Sequence, residues 1–140
     1  MNWKIEYRVI KLKEKLGEYI SCPKDVINAL KNTFDPISEE MYILIFDTKN
    51  QIIEKHLIAK GGYNTLMMKP AQIFRKVLIT GGDSFIIAHN HPSGDVKPSE
   101  DDIVFTKKVL KGASLLGINF LDHIIYCNEN HYSFKKENLL

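Results

Sequence analysis

A chain of 140 residues with 44% hydrophobic and 26% charged positions has room for one compact core and excludes a disordered or fibrous protein. Its nineteen Lys and Arg against seventeen Asp and Glu leave a formal charge of +2, too slight a basic excess for a dedicated nucleic-acid binder. Two cysteines are too few for a disulfide framework or a four-thiolate metal site, and no apolar run approaches the roughly 20 residues that cross a bilayer. The charged N-terminus lacks a signal core, so we expect a cytoplasmic protein without membrane contact, folded as a single domain over residues 1–140.

Residues 3–12 alternate, with Trp3, Ile5, Tyr7 and Val9 opposite Lys4, Glu6 and Arg8. This predicts an edge strand in an N-terminal extension, residues 1–19, to a core over about 20–140. Ser21 ahead of Pro23, Val26, Ile27, Leu30 and Phe34 predicts a capped amphipathic helix ending near Pro36. Residues 41–47 are apolar on both faces, and the turn at 47–50 leads into 51–59, so adjacent strands are expected, the first of them central. Gly61, Gly62 and Asn64 mark a loop, and Pro70 opens a helix carrying Ile73, Phe74, Val77 and Leu78 that closes at Gly81-Gly82. A short apolar strand at 84–89, a Pro/Gly-bearing loop at 90–98 and a long helix at 99–117 follow. Strands near 119–127 and 131–134 complete a mixed α/β domain of three helices around a sheet.

The stretch from Ala88 to Asp102, AHNHPSGDVKPSEDD, lies where the buried strand gives way to the long helix. Side chains two apart on a strand face the same way, so His89 and His91 project together, continuing the line of Phe85 and Ile87. Ser99-x-x-Asp102 is the pattern of an N-cap with a carboxylate at the third helical position, which by itself needs no function. At about 100° per residue, however, Glu100, Lys107, Lys108 and Lys111 share one face, whereas Asp102 falls among Phe105, Val109, Ala113 and Leu116. A carboxylate aimed at the core is costly unless paired or bound to a cation. Two imidazoles and that carboxylate make a three-ligand set with a fourth tetrahedral position left for water, the arrangement of a catalytic zinc site.

The spacing His89-x-His91, seven residues, Ser99, two residues, Asp102 resembles the JAMM metal motif of the JAB/MPN metalloproteases. HNHPSG followed by PSxxD, with Asp122-His123 and Tyr132-Ser133-Phe134 downstream, is similar to the RadC-like branch over about residues 20–140. The resemblance implies an α/β/α sandwich with a mixed sheet, similar to the cytidine deaminase fold. It implies one Zn2+ per chain held by His89, His91 and Asp102, and an upstream glutamate as general acid/base. Counting back from Asp47 selects Glu39 for that role, with Glu40 as the rival that the sequence does not separate. Ser99 is implied to hydrogen-bond near the water and the tetrahedral intermediate. The implied activity is hydrolysis of a peptide or isopeptide bond in a peptide or protein substrate. The alternative is a non-catalytic accessory module that binds protein or DNA, since the branch carries a DNA-repair label. The chain departs from the family pattern at Pro70-Ala71-Gln72, where Pro-Arg-Glu is usual, and at Asn138, where a glycine is usual. No helix-hairpin-helix module is expected in residues 1–140.

Other residues are weighed and set aside. Asp122-His123 reads as a structural strand pair in preference to a support for the site. His56 and His131 have no companion acid at ligand spacing, and the basic residues of the N-terminus are interrupted by Glu6, Glu14 and Glu18. Tyr63, Asn64, Met67 and Met68 are as well explained by loop and core filling as by substrate docking.

Overall fold

The computed structural model describes residues 19–61 and 68–140. The strand expected over 3–12, and Gly62, Tyr63, Asn64 and Met67, lie outside the described residues. The elements run α1 (Pro23–Leu30), β1 (Glu40–Phe46), β2 (Ile52–Lys60), α2 (Pro70–Thr80), β3 (Ser84–Asn90), α3 (Glu100–Leu116), β4 (Asn119–Cys127) and β5 (Asn130–Ser133). The strands form one mixed five-stranded sheet in the order β2-β1-β3-β4-β5, with β3 and β4 parallel and the other neighbours antiparallel. No helix among the described residues is long and apolar enough to cross a membrane.

Alternation along β1 and β3 divides the core into two layers, because both strands are buried on both faces. Met41, Ile43, Ile45, Phe85 and Ile87 pack with Ile73, Phe74 and Val77 of α2 and with Phe105, Val109 and Ala113 of α3. Tyr42, Leu44, Phe46, Ile86 and Ala88 pack on the opposite face against Val26 and Leu30 of α1. The result is three layers, with α1 on one side of the sheet and α2 and α3 on the other.

Local chemistry explains most boundaries. The Asp25 carboxylate accepts from the Ser21 and Cys22 backbone N–H groups, so the N-cap of α1 is Cys22, one residue later than Ser21. The helix also ends at Leu30, short of Pro36, and a turn delivers Phe34 edge-on to Tyr42, with ring centroids 5.1 Å apart. Gly81 and Gly117 close α2 and α3 with φ of 70°, in the left-handed region where a side chain is strained. Gln72 accepts from the Lys69 N–H at 3.2 Å, as a glutamate would, and Asn138 takes a left-handed φ of 57°, the conformation that favours the glycine the resemblance leads one to expect there. Leu116, expected on the inward face of α3, is half exposed because it lies in the last turn beyond the packed seam.

One irregularity in β4 matters for the site. Phe120 pairs with Phe85, but Asp122 pairs with Ile86, so Leu121 is an extra residue between them. Without this bulge, Asp122 would share the face of Phe120. With it, Phe120 and His123 face α3, and Asp122 turns to the other side.

Candidate metal centre

Three separate segments deliver side chains to one point at the end of β3. His89 lies in β3 opposite Met41 of β1, and His91 follows two residues later on the same face. The antiparallel register sets Glu39, two residues before Met41, beside His91. Asp102 comes from the first turn of α3 and is 2% exposed, the inward placement that helical spacing predicts.

The two imidazole Nε2 atoms stand 2.9 Å apart. Asp102 Oδ1 lies 3.6 Å from His89 Nε2, and Asp102 Oδ2 lies 3.4 Å from His91 Nε2. Glu39 Oε1 is 3.8 Å from His91 Nε2, and its side chain remains 37% exposed. Ligand atoms of Glu39, His89 and His91 all fall within 4.8 Å of one another, so these three residues could hold a metal ion. The Asp102 carboxylate stands against both imidazoles of that group. Neutral imidazole nitrogens and carboxylate oxygens are the donor types that zinc takes.

The electrostatics suit a cation. Burial pushes the Asp102 carboxyl up, but the adjacent His89 and His91 imidazoles and the Ser99 N–H outweigh it and hold the group well below the usual carboxylate range. Burial opposes charge on His91 as well, yet Asp102 and the Asp95 carbonyl outweigh that and raise its pKa. The site thus draws in positive charge, whether a proton or a metal ion. His91 Nδ1 donates to the Asp95 carbonyl at 2.8 Å, which leaves the lone pair of a neutral His91 on Nε2, facing the cluster.

Asp102 also closes the capping box of α3. Its Oδ2 accepts from the Ser99 N–H at 2.9 Å, and Ser99 Oγ accepts from the Asp102 N–H at 3.1 Å. Cap and cluster therefore share one carboxylate. Ser99 is exposed, and its hydroxyl hydrogen is not used by the capping box.

The two neighbouring glutamates diverge, as the pleat requires. Glu40 points to the α1 layer, is 2% exposed, and accepts from the Asp35 N–H at 3.0 Å and the Tyr42 hydroxyl at 3.4 Å. Lys60 Nζ lies 3.1 Å from its other oxygen. Glu40 is thereby occupied as a structural ion pair, and Glu39 is the acid beside the imidazoles.

Several residues at the site were not singled out by sequence reasoning. Asn90, between the two histidines, points to the opposite face and binds the segment that carries Glu39. Its Oδ1 accepts from the Glu40 N–H at 2.6 Å, and its Nδ2 donates to the carbonyls of Asp35 and Ser38 at 3.1 and 2.9 Å. The expected structural hydrogen bond between Asp122 and His123 runs through the backbone: Asp122 Oδ1 accepts from the His123 N–H at 2.8 Å, and the carboxylate also binds Ser133 Oγ at 2.5 Å and the Lys135 N–H at 3.0 Å. The His123 ring turns the other way, with Nε2 2.7 Å from His89 Nδ1. Thr106, one helical turn after Asp102, contacts the other His123 nitrogen at 2.7 Å. Its i+4 spacing from Asp102 was a usable signal. The orientation of His123 depends on the bulge at Leu121 and was not readable. His56 contacts Glu54 on β2, away from this cluster, and His131 is exposed on β5.

Comparison with known proteins gives one family and a set of relatives. Residues 20–139 match the RadC-like JAB domain family. The chain is 40% identical over 119 residues to a UPF0758 protein of Methanosarcina mazei, an overlap of 84% of this chain and 52% of the relative. It is 38% identical over 135 residues to one of Clostridium perfringens, covering 96% and 60%, and 42% identical over 118 residues to one of Carboxydothermus hydrogenoformans, covering 84% and 52%. The matched region thus spans about half to three-fifths of the length of these curated relatives.

Proposed function

This chain belongs to the RadC-like JAB domain family, and from that premise we propose that it is a zinc-dependent hydrolase cleaving a peptide or isopeptide bond in a peptide or protein substrate. The observation that carries the reading is the convergence of His89, His91, Asp102 and Glu39 from three chain segments onto one point. His89, His91 and Asp102 would hold the ion through Nε2, Nε2 and a carboxylate oxygen. When bound, zinc supplies Lewis acidity, bringing the ionisation of water to about pH 7 and polarising a substrate carbonyl.

The remaining chemistry belongs to the chain. Glu39, accessible and beside His91, takes a proton from the attacking water on its carboxylate and returns it to the departing amine nitrogen. Ser99 donates its hydroxyl hydrogen to the carbonyl oxygen as negative charge develops there, while its lone pair stays on the Asp102 N–H. Asp102, held at Oδ2 by the Ser99 N–H, keeps the first turn of α3 against the two imidazoles.

The test compares wild type with Glu39→Gln after chelator-free purification, using metal analysis and a panel of linear and branched peptides. The expected result is one zinc in each protein, cleavage by wild type, and a loss of about 100-fold or more in Glu39→Gln. A metal-free wild type, or undiminished cleavage by Glu39→Gln, overturns the reading. Zinc uptake without any cleavage, together with steeply salt-dependent DNA binding, would favour an accessory binding role instead.

A further inference from the structure

We propose that His123 is a positioning residue that, through Thr106, fixes the His89 imidazole with its hydrogen on Nδ1 and its lone pair on Nε2. The inference rests on reading His89 as a metal ligand, and it follows from counting hydrogens along a buried chain of contacts. The Thr106 hydroxyl lies 2.6 Å from the Asp102 carbonyl, and a carbonyl can only accept, so the single hydroxyl hydrogen is used there. The 2.7 Å contact between Thr106 Oγ1 and His123 Nδ1 therefore requires the hydrogen to be on the histidine nitrogen. A neutral His123 then has only a lone pair on Nε2. The 2.7 Å contact from that atom to His89 Nδ1 requires the hydrogen to be on His89. His89 Nε2 is left bare, facing Asp102 and His91.

The two ligating imidazoles thus differ in what orients them. His91 leans on the Asp95 carbonyl, a group that cannot change its role. His89 leans on another imidazole, which could donate or accept until a third group decides. Thr106 is that group, and it takes its own direction from the carbonyl of Asp102, so the helix that brings the acid also sets the tautomer of the base. His123 and Thr106 are both fully buried, and Phe134 stacks on the His123 ring at 4.6 Å and 6°, which fixes the plane in which its nitrogens point. The role is distinct from that of Asp122, whose carboxylate lies on the other face and serves Ser133, the Lys135 N–H and the backbone N–H of His123 but not its ring.

The first measurement uses the wild-type chain, metal-free and 15N-labelled at about pH 8, with long-range proton–nitrogen correlation spectra of the imidazoles. The expected pattern is a hydrogen on Nδ1 and a bare Nε2 in both His89 and His123. A hydrogen on His89 Nε2 overturns the proposal. The second measures zinc affinity by chelator competition in His123→Leu, Thr106→Val, His123→Gln and His123→Asn. Loss of the acceptor in His123→Leu, or of its orienting group in Thr106→Val, should weaken binding about 10- to 100-fold. The Gln amide oxygen can stand where Nε2 stood, so His123→Gln should remain within about threefold of wild type. Asn reaches only the Nδ1 position and should resemble Leu. Equal affinity of the Leu and Gln variants would mean that the ring only fills space. If wild type takes up no zinc, the metal reading fails, and the nitrogen spectrum still decides the tautomer. It also decides should a variant not fold.

Discussion

His89 Nε2 and His91 Nε2 face each other at 2.9 Å across the mouth of a buried carboxylate, Asp102. Two lone pairs at that separation repel unless positive charge lies between or beside them, so occupancy of the site depends on protons as well as on metal.

The His91 pKa is raised above its ordinary 6.5: burial opposes the charged form, but Asp102 and the Asp95 carbonyl outweigh it. A raised folded pKa contributes stability that is fully present below the unfolded value and is lost as pH climbs through the folded one. Asp102, held far below its ordinary 3.8, stays ionised throughout that window. Zinc must displace the His91 proton, so affinity should rise by up to about tenfold per pH unit until His91 is neutral, then level off. The metal-free protein loses stability over the same window, so zinc should raise Tm more at about pH 8 than at about pH 6. Calorimetric titrations in buffers of different ionisation enthalpy check this, and an affinity that is flat with pH contradicts it.

Asn90→Ala should destabilise the domain by about 2–3 kcal/mol, because three backbone groups of the segment from Asp35 to Glu40 lose their partner. Asn90→Asp should cost at least as much, since it places an acceptor against two carbonyls. Zinc affinity should change little, because Asn90 faces away from His89, His91 and Asp102. Urea unfolding and chelator competition on the same samples separate the two effects.

Lys60→Met leaves the Glu40 carboxylate with the Asp35 N–H and the Tyr42 hydroxyl but without its cation. Lys60 is half exposed, so the expected loss is a small fall in the urea midpoint. If Lys60→Met and wild type unfold at the same urea concentration, the pair carries no weight.

Gly112→Ala should destabilise the seam between α2 and α3. A Cβ at Gly112 would lie 2.6 Å from Phe74 Cε2 and 2.8 Å from Cζ, and that ring is buried against Phe85. The expected cost is about 1–3 kcal/mol, with no change in zinc stoichiometry, because the seam lies remote from His89, His91 and Asp102. Thermal unfolding with and without metal reads both.

What could be read from the sequence was what local geometry controls. Pro70, Gly81, Ser99 and Gly117 punctuate helices through single-residue conformational preferences, so element boundaries fell close to their observed positions. The approach of His89, His91 and Asp102 follows from strand alternation and helical rotation, each a property of a short window. The choice between Glu39 and Glu40 and the direction of His123 were beyond reach, because both depend on how distant strands pair. The extra residue at Leu121 reverses the alternation of β4, and no nearby residue announces it. The strand order β2-β1-β3-β4-β5 is likewise a matter of long-range partners.

The pairing of Met41 with His89 carries a further consequence. Glu39 and Glu40 offer the same functional group, so chemistry alone cannot discriminate between them. A slip of one position between β1 and β3 would exchange the two acids, and it would also expel Met41, Ile43 and Ile45 from their layer and swing Tyr42, Leu44 and Phe46 into it. The oily interior thus proofreads which acid stands beside His91, and insertions or deletions in residues 35–39 would be tolerated only where that interlock survives.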